Sequence, residues 1–290
     1  MDRTVDSEGR VLRYDPTLGE KGVRAGFDYL ERPELLIDDD GQKYGASGCI
    51  GLPSWREVIL AVRSIEEADP RNIEFMLTTS YAVQARKAAY VADPKKAQTD
   101  FPFVPCTVIG VPHTIDGKII CGIRGGSTGV GKADIAGGYL TTNLSGRHPV
   151  FDSLGGELAD ELGLFPSEME NLSLIGRFND GQFNTLCFIT DAHTSLSANE
   201  TIERHREAYS AYQKAKQRRM GEMSSRKAIS DAGHVAIDAW EHEALFTIPN
   251  DREHLQGIVE SNRVTYGGRE YEPLKNMIAA LRIIVDGCSS

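Results

Sequence analysis

Residues 149–164 carry the pattern that most restricts what this chain can fold into. Pro149 suits the first turn of a helix, where its missing N–H would have no intrahelical partner. One buried stripe along that helix is predicted from three leucines spaced one helical turn apart, Leu154, Leu158 and Leu162. Gly163 follows the stripe and predicts a left-handed C-cap that ends the helix.

Three carboxylates lie on the same predicted helix, away from the leucine stripe. Their spacing brings the side chains of Glu157, Asp160 and Glu161 together over neighbouring turns. Converging carboxylates repel one another unless a cation lies between them, and Mg²⁺ takes oxygen ligands while sharing its other positions with substrate phosphates. The pattern therefore predicts a magnesium site. The alternative is a solvent-exposed acidic face, which the helix dipole would itself stabilise.

Gly138 and the segment ELADELGL, residues 157–164, resemble the Nudix box GX5EX7REUXEEXGU, in which U is aliphatic. Gly138 matches the leading glycine, and the segment matches the EUXEEXGU end with Asp160 in place of a glutamate. Two departures stand out. Gly156 occupies the position of the arginine that orients the catalytic glutamate in the family. The interval from Gly138 to Glu157 is also longer than in the box, so no acid falls at the earlier glutamate position.

The resemblance implies a fold of the α/β (α+β) class, a Nudix-like α/β/α sandwich with a mixed sheet. It implies Mg²⁺ as cofactor, with Mn²⁺ able to replace it, and the implied ligands are Gly137, Glu157, Asp160 and Glu161, the glycine through its carbonyl. Glu157 and Glu161 would be the catalytic residues. The implied reaction is hydrolysis of a phosphoanhydride in a nucleoside diphosphate derivative, because divalent cations neutralise phosphoryl oxygens and activate water.

Three residues outside the box are assigned to the substrate by the same resemblance. Family members use a glutamate from a loop beyond the box, for which Glu241 and Glu243 are the candidates. Arg124 ends a predicted strand and is a candidate phosphate contact, with a plain surface arginine as the alternative. Because Gly156 replaces the orienting arginine, the alternative function is a Nudix-fold module that has lost hydrolysis and binds a nucleotide or a protein partner.

Strands on both sides of the box, followed by helices, are predicted for the rest of the C-terminal two thirds of the chain. Strands are predicted over 104–111, 118–123, 172–178, 185–189 and 244–248, with tight turns at Asp116-Gly117 and Asn179-Asp180-Gly181. Helices are predicted near 252–261 and 273–285. The sequence predicts a domain over residues 99–290 and, within it, a basic helical insertion at about residues 198–230. This basic run is either a solvated face or a cover over an anionic substrate that uses Arg204, Arg206, Lys214, Arg218 or Arg219.

The N-terminal third predicts a helical extension or small domain over residues 1–98. Ser54 opens a capping-box pattern before apolar residues at helical spacing up to Ile65, and a second helix is predicted from Asn72 to about Ala92. Asp93-Pro94 and the polar KKAQTD that follows predict a boundary. We expect a structural annex, with a contact to a partner or within a homodimer as the alternative.

Residues 126–133, GSTGVGKA, match the phosphate-binding P-loop pattern GxxxxGK[ST] except at the last position. Ala133 supplies no hydroxyl for Mg²⁺, and Gly137-Gly138 would interrupt the helix that should hold the phosphates. A P-loop nucleoside triphosphatase that uses Lys132 is therefore the weaker alternative.

Composition narrows the classes of partner. The formal net charge of −10 disfavours binding to nucleic acid, so the expected partner is a small nucleotide-type molecule. No apolar run reaches the ~18 residues of a membrane span, and the N-terminus does not resemble a signal peptide, so we expect a cytoplasmic protein. The five cysteines lack the spacing of a zinc site or of a disulfide framework.

Overall fold

The computed structural model describes residues 58–65, 73–125, 129–140, 149–181, 183–217 and 238–287, with short pieces at 4–5, 11–12, 229–230, 233 and 236. The strands are β1 Thr4–Val5, β2 Val11–Leu12, β3 Val58–Ile65, β4 Ile73–Thr79, β5 Val104–His113, β6 Lys118–Arg124, β7 Ala133–Asp134, β8 Gly137–Tyr139, β9 Met169–Asp180, β10 Thr185–Thr194, β11 His242–Pro249, β12 Val264–Tyr266 and β13 Arg269–Tyr271. The α-helices are α1 Ser80–Ala92, α2 Pro94–Asp100, α3 Pro149–Glu157, α4 Ala198–Gln217, α5 Arg252–Ser261 and α6 Lys275–Gly287. The mixture of strands and helices confirms the predicted α/β (α+β) class.

The main sheet has the strand order β11-β6-β5-β10-β9. β3 and β8 also pair with β5, β4 pairs with β3, and β7 pairs with β6. β6 is antiparallel to β11 along most of its length, from Lys118 opposite Pro249 to Arg124 opposite His242. This pairing brings the acidic segment that precedes β11 beside the end of β6.

The described chain forms two compact units, each built from separate segments. The first comprises residues 1–108, 139–153 and 177–188, and the second comprises 109–138, 154–176 and 189–290. The predicted division into a segment 1–98 and a Nudix-like domain 99–290 stays a prediction.

A helix packed on a hairpin forms the core of the first unit. Its buried apolar residues come from β3, α1, α2 and the following turn, and they include Ile59, Ala61, Val83, Ala97, Phe101 and Phe103. Arg86 is buried in α1 with its guanidinium near the ring of Tyr90, 5.4 Å from the ring centroid. A guanidinium can enter an apolar core in this way because an aromatic face partly replaces its hydration.

The prediction of a helix up to Ile65 is wrong, because residues 58–65 form strand β3. Consecutive residues of β3, from Ile59 to Val62, are all buried. A run buried on both faces has no alternation, so its apolar residues mimic helical spacing. The capping-box pattern at Ser54 lies outside the described residues.

The prediction of one helix from Asn72 to Ala92 is half right. Residues 73–79 form strand β4, paired with β3, and only residues 80–92 are helical. Asp93-Pro94 ends α1 as predicted, but it also begins α2. The Asp93 carboxylate accepts hydrogen bonds from the backbone N–H groups of Lys95 and Lys96, so KKAQTD lies in a capped helix.

The predicted strands and closing helices of the C-terminal part are confirmed with small changes in their ends. The basic segment is helical from Ala198 to Gln217. Among the described residues, no helix combines the length and the apolar character that crossing a bilayer requires.

Candidate metal and nucleotide site

The helix that carries the acidic residues has the predicted stripe and cap. Leu154 and Leu158 are fully buried and Leu162 is 2% exposed. Gly163 has φ 75° and ends the helix, and its N–H donates to the carbonyl of Ala159. The stripe and the left-handed C-cap are therefore confirmed.

One turn of π-helix follows α3, over Leu158–Leu162. Such turns widen a helix locally and are frequent at functional sites. Within this turn Glu161 is buried at 1% exposure, whereas Glu157 and Asp160 are half-buried. The three acids therefore differ in their access to water.

Gly110 of β5 lets the acidic helix approach the sheet. A Cβ atom at this position would lie 2.6 Å from Cδ1 of Leu154. Any larger residue would push the helix away from the strand. The contact fixes how closely the start of the acidic segment approaches β5 within the second unit.

Gly138 of β8 lies directly against the carboxylate of Glu157. A Cβ atom at Gly138 would lie 2.1 Å from Oε1 of Glu157. The glycine and the glutamate at the two ends of the predicted box are thus adjacent in space. Gly137 is half-buried beside Gly138 in the same strand.

Glu161 is a buried carboxylate without a full set of partners. Its Oε2 has no hydrogen-bond partner among the described residues and lies 3.6 Å from Nδ1 of His242. Burial raises its pKa well above the usual range, and the charges of Glu241 and Glu157 raise it further, against the opposing effect of Arg124.

Arg124 provides a cation within this group of acids. Its Nη1 lies 2.9 Å from Oε2 of Glu241 and 3.6 Å from Oδ2 of Asp134. The side chain of Arg124 is only 15% exposed. The structure therefore places Arg124 in an internal ion pair with Glu241, so the alternative of a plain surface arginine is wrong.

Asp134 is a further buried acid next to Arg124. Burial raises its pKa to about 7, although the charge of Arg124 and the N–H of Ile135 oppose the shift. Asp134 lies in the short strand β7, which pairs with β6. The pairing of β7 with β6, and not a local sequence motif, places Asp134 beside the acidic helix.

His242 begins β11 and is completely buried. A Cβ atom on Gly122 would lie 2.1 Å from its Cδ2, so the glycine makes room for the ring. Burial lowers the pKa of His242 to about 3, with smaller contributions from Arg124 and His205. Neither ring nitrogen has a hydrogen-bond partner among the described residues. A neutral imidazole therefore lies beside Glu161.

The two candidate acids beyond the box have different surroundings. Glu241 is part of the ion pair with Arg124, and its side chain is 24% exposed. Glu243 is exposed, one residue beyond the buried His242. Asp160 connects the box to this segment, because its carbonyl accepts the N–H of Asp238 at 2.8 Å.

The arrangement fits a divalent cation. The charges of Glu241, Glu157 and Asp134 raise the pKa of Glu161, and the charge of Glu241 raises the pKa of Asp134. Arg124 is the cation among these acids and opposes both shifts. An unpartnered buried carboxylate oxygen is costly, and a metal ion removes that cost by accepting the lone pair. The oxygen-rich donor set suits Mg²⁺ or Mn²⁺.

Sequence reasoning missed Asp134 and His242. Both residues reach the site through the pairing of β7 and β11 with β6, a long-range effect. A local signal was present for His242, since a polar residue at the start of an apolar strand indicates a special environment. Asp134 follows the P-loop-like segment and has no such signal.

The P-loop alternative is wrong, because no phosphate-binding helix follows Lys132. The next residues, Ala133 and Asp134, form strand β7. The ammonium of Lys132 pairs with Glu272 at 3.0 Å. The two elements that define the motif, a helix and a lysine directed at phosphate, are therefore replaced by a strand and a surface ion pair.

Arg204 of the basic helix binds other residues of the protein, with its side chain 37% exposed. Its guanidinium donates two hydrogen bonds to Glu168, at 2.8 and 2.9 Å, and a third to the carbonyl of Gly163 at 3.2 Å. Arg206 pairs with Glu203 on the surface, and Lys214 is exposed. Arg218 and Arg219 lie outside the described residues. Arg204 therefore holds the end of the acidic helix.

No protein-family model matches the sequence. No curated protein matches it either.

Several solved structures are similar to this chain. One is a bifunctional NMN adenylyltransferase/ADP ribose pyrophosphatase from Francisella tularensis, complexed with AMP and a Mn ion, at 11% identity, 72% of this chain, 49% of that chain and TM-score 0.37. Another is the NUDIX domain of Shewanella oneidensis NrtR, complexed with ADP ribose, at 20% identity, 38% of this chain, 72% of that chain and TM-score 0.28. A third is a MutT protein from Methanosarcina mazei Go1, at 11% identity, 64% of this chain, 96% of that chain and TM-score 0.34.

This chain thus spans about half the length of the Francisella protein. The names of two of these structures contain MutT or NUDIX. The reaction that the site can support follows from its residues and not from this likeness.

Proposed function

We propose that this protein is a Mg²⁺-dependent, Nudix-type hydrolase that cleaves the phosphoanhydride of a nucleoside diphosphate derivative. The observation that carries the proposal is the buried carboxylate of Glu161, whose Oε2 has no hydrogen-bond partner among the described residues and lies amid further acids. Such a group is stable as an anion only beside a cation. A cation held at this site would neutralise the negative charge of a polyphosphate substrate.

The proposed ligands are the carboxylates of Glu157, Asp160 and Glu161 and the carbonyl of Gly137, with Mn²⁺ as a substitute ion. The contact between Glu157 and Gly138 supports this set, because it brings the helix and β8 together at the acidic turn. When bound, the metal would neutralise phosphoryl oxygens and make a water molecule more acidic.

The proposed proton acceptor is Glu157, with Glu161 as the second catalytic acid. Glu157 is half-buried, so water can reach its carboxylate, whereas Glu161 is closed off at 1% exposure. Arg124 orients Glu241 through the 2.9 Å ion pair, and we propose that Glu241 and the exposed Glu243 contact the substrate. Arg124 could reach a phosphate only by sharing its guanidinium with Glu241.

We propose a small nucleotide-type substrate and a cytoplasmic location. The net charge of −10 favours a substrate met through a metal ion over a nucleic acid. A homodimer formed through residues 1–98 is an additional proposal. Light scattering over a range of protein concentrations tests it, and a monomer at every concentration would contradict it.

The test of hydrolysis uses the full chain freed of metal, then supplied with Mg²⁺ and a panel of nucleotide sugars, dinucleoside polyphosphates and NADH. We expect turnover of at least one of these compounds. Glu161→Gln should lower kcat by about 10²–10⁴-fold, the range expected when a catalytic acid–base group is lost. Lys132→Ala is the matched control, since its ion pair lies at the surface, and should keep full activity.

The opposite pattern, activity that survives Glu161→Gln and is lost in Lys132→Ala, would overturn the proposal. Nucleotide binding without turnover of any compound would favour the alternative, a binding module that has lost hydrolysis.

One observation favours that alternative. Gly156 is exposed, and a Cβ atom there would meet nothing within 4 Å. No side chain from this position can therefore orient Glu157. The open space admits the family's arginine without a clash, so Gly156→Arg is a direct test. A large rise in kcat in Gly156→Arg would show a weakened enzyme, and an unchanged kcat would show that another group orients the glutamate.

A further inference from the structure

A second group of metal-binding side chains lies in the same unit, away from the acidic helix. His113 ends β5, and Asp191 and His193 lie two residues apart near the end of β10. β5 and β10 are neighbours in the sheet. One ligand atom from each of the three residues lies within 4.8 Å of the other two. Neither the predicted box nor the proposed hydrolysis uses any of them.

This group lies on the face of the sheet opposite Arg124. His113 is paired with Ile119 across the β5–β6 ladder, and paired residues share a face. Residues of a strand alternate between faces, so Ile119 lies opposite Gly122 and Arg124. Gly122 faces His242, which adjoins Glu161. The second group is therefore separate from the acidic site.

The side chains already converge on one point. Nε2 of His113 lies 2.5 Å from one oxygen of Asp191, and Nε2 of His193 lies 2.9 Å from the other. The two imidazole rings stack with their centroids 4.7 Å apart and an angle of 13° between their planes. Both histidines thus present the same ring nitrogen to one carboxylate.

We propose that His113, Asp191 and His193 form a binding site for a divalent transition-metal ion, of which Zn²⁺ is the probe. Two imidazole nitrogens and one carboxylate are a donor set that suits zinc and its neighbours better than Mg²⁺. The site binds through Nε2 of both histidines, which leaves a fourth position for water.

The surroundings support binding through Nε2 of His113. A ring nitrogen that binds a metal carries no proton, so the other nitrogen is protonated and needs an acceptor. Nδ1 of His113 lies 3.0 Å from Nδ2 of Asn250, and a 180° rotation of that amide brings its oxygen to the same place as an acceptor. Asn250 therefore supplies the acceptor that fixes the ring for metal binding.

The site is open on one side. The side chain of His193 is 43% exposed and that of Asp191 is 23% exposed, whereas that of His113 is 6% exposed. An ion can enter past His193, whose exposed ring can turn from the carboxylate towards the metal. The buried His113, fixed by Asn250, is the rigid part of the site.

The experiment measures Zn²⁺ binding by the metal-free full chain, in competition with a chromophoric chelator, in wild type and in Glu161→Gln. Glu161→Gln removes the first site as a place where Zn²⁺ could bind. We expect one Zn²⁺ ion in the Glu161→Gln protein, with its affinity lowered at least ~100-fold by His193→Ala and ~10-fold by Asn250→Ala, the size of change known for groups that support metal ligands. Co²⁺ in place of Zn²⁺ should give visible absorption bands that His193→Ala abolishes.

His254→Ala is the matched control. His254 is exposed on α5 and should contribute nothing to the affinity. His193→Ala is chosen over His113→Ala because its exposed ring can be removed without opening the core, and circular dichroism checks the fold of each variant. Unchanged Zn²⁺ affinity in His193→Ala, or an equal loss in His254→Ala, would overturn the proposal. Absence of Zn²⁺ binding in the Glu161→Gln protein would overturn it as well.

Discussion

At the scale of single residues, two glycines in the second unit make close contacts of different kinds. A Cβ atom on Gly138 would meet the carboxylate of Glu157, and one on Gly122 would meet the ring of His242, each at 2.1 Å. A carboxylate at the end of a flexible, half-buried side chain can move away. A completely buried imidazole cannot do so without displacing the core.

Gly138→Ala should therefore damage the site and spare the fold. The added methyl group displaces the Glu157 carboxylate from its position beside β8, so we expect weaker Mg²⁺ binding and a kcat lowered at least tenfold. The free energy of unfolding in the absence of metal should change by less than about 1 kcal/mol. Calorimetric titration with Mg²⁺ and urea unfolding measure the two quantities, and unchanged metal affinity would contradict the prediction.

Gly122→Ala should do the reverse and destabilise the fold. Overpacking of a full core costs about 1–3 kcal/mol, and the His242 ring has no exposed side to which it can move. Urea unfolding of the metal-free protein should show this loss. An equal stability of the Gly122→Ala and Gly138→Ala proteins would mean that the two contacts do not differ in rigidity.

At the scale of elements, the segment that carries the acidic residues is held by contacts at both of its ends. Gly110 admits it to the sheet, and Arg204 of α4 binds Gly163 and Glu168 just beyond it. His205, the next residue of α4, is buried and lies 3.1 Å from the carbonyl of Ala239 through Nε2. α4 thus connects the end of the box to the turn that carries Glu241.

The buried ring of His205 should make the stability of the protein depend on pH. Burial lowers its pKa to about 4, below the ordinary value of 6.5, so the unfolded chain binds the proton more tightly. The contribution of the neutral ring is complete above pH 6.5 and is lost as the pH falls towards 4, at no more than about 1.4 kcal/mol per pH unit. His205→Gln keeps an N–H donor for Ala239 and does not titrate.

Urea unfolding at pH 7.5 and pH 5 checks this prediction. His205→Gln should lose less stability on acidification than wild type, while the buried His242 acts equally in both proteins. An identical loss in the two proteins would show that His205 is not buried as the neutral ring.

The elements that the sequence predicted well are those with a local pattern. The stripe and cap of residues 149–164 depend on neighbours within a few turns, and so does the turn at Asp116-Gly117. β3 was mistaken for a helix because its residues Ile59 to Val62 are buried on both faces, and only the pairing of β3 with β4 decides between helix and strand for these segments. Asp134 and His242 were missed for the same reason, since distant strands bring them to the acidic turn.

At the scale of the whole molecule, the proposed metal is linked to stability. An ion that binds only the folded state stabilises it by about 2.7 kcal/mol at one hundred times its dissociation constant. Mg²⁺ should therefore raise Tm by several degrees in wild type. At a pH above the raised pKa of Glu161, Glu161→Gln removes a buried charge, so it should raise Tm in the absence of metal and abolish the response to Mg²⁺.

Without metal, the Glu161→Gln protein should have the higher Tm, and with Mg²⁺ wild type should have the higher Tm. Differential scanning calorimetry measures both values. A metal-free Glu161→Gln protein that melts below wild type would show that the Glu161 carboxylate is satisfied without a cation. Ca²⁺ serves as a comparison ion, because its longer bonds to oxygen demand a wider site than Mg²⁺.

The two units are interleaved along the chain. The first unit takes residues from three separate segments, and the last of them ends at residue 188. A ribosome releases the chain from its N-terminus, so α1 and α2 emerge long before residues 177–188, which complete their unit. The order of synthesis therefore delays completion of the first unit until its last segment has left the ribosome.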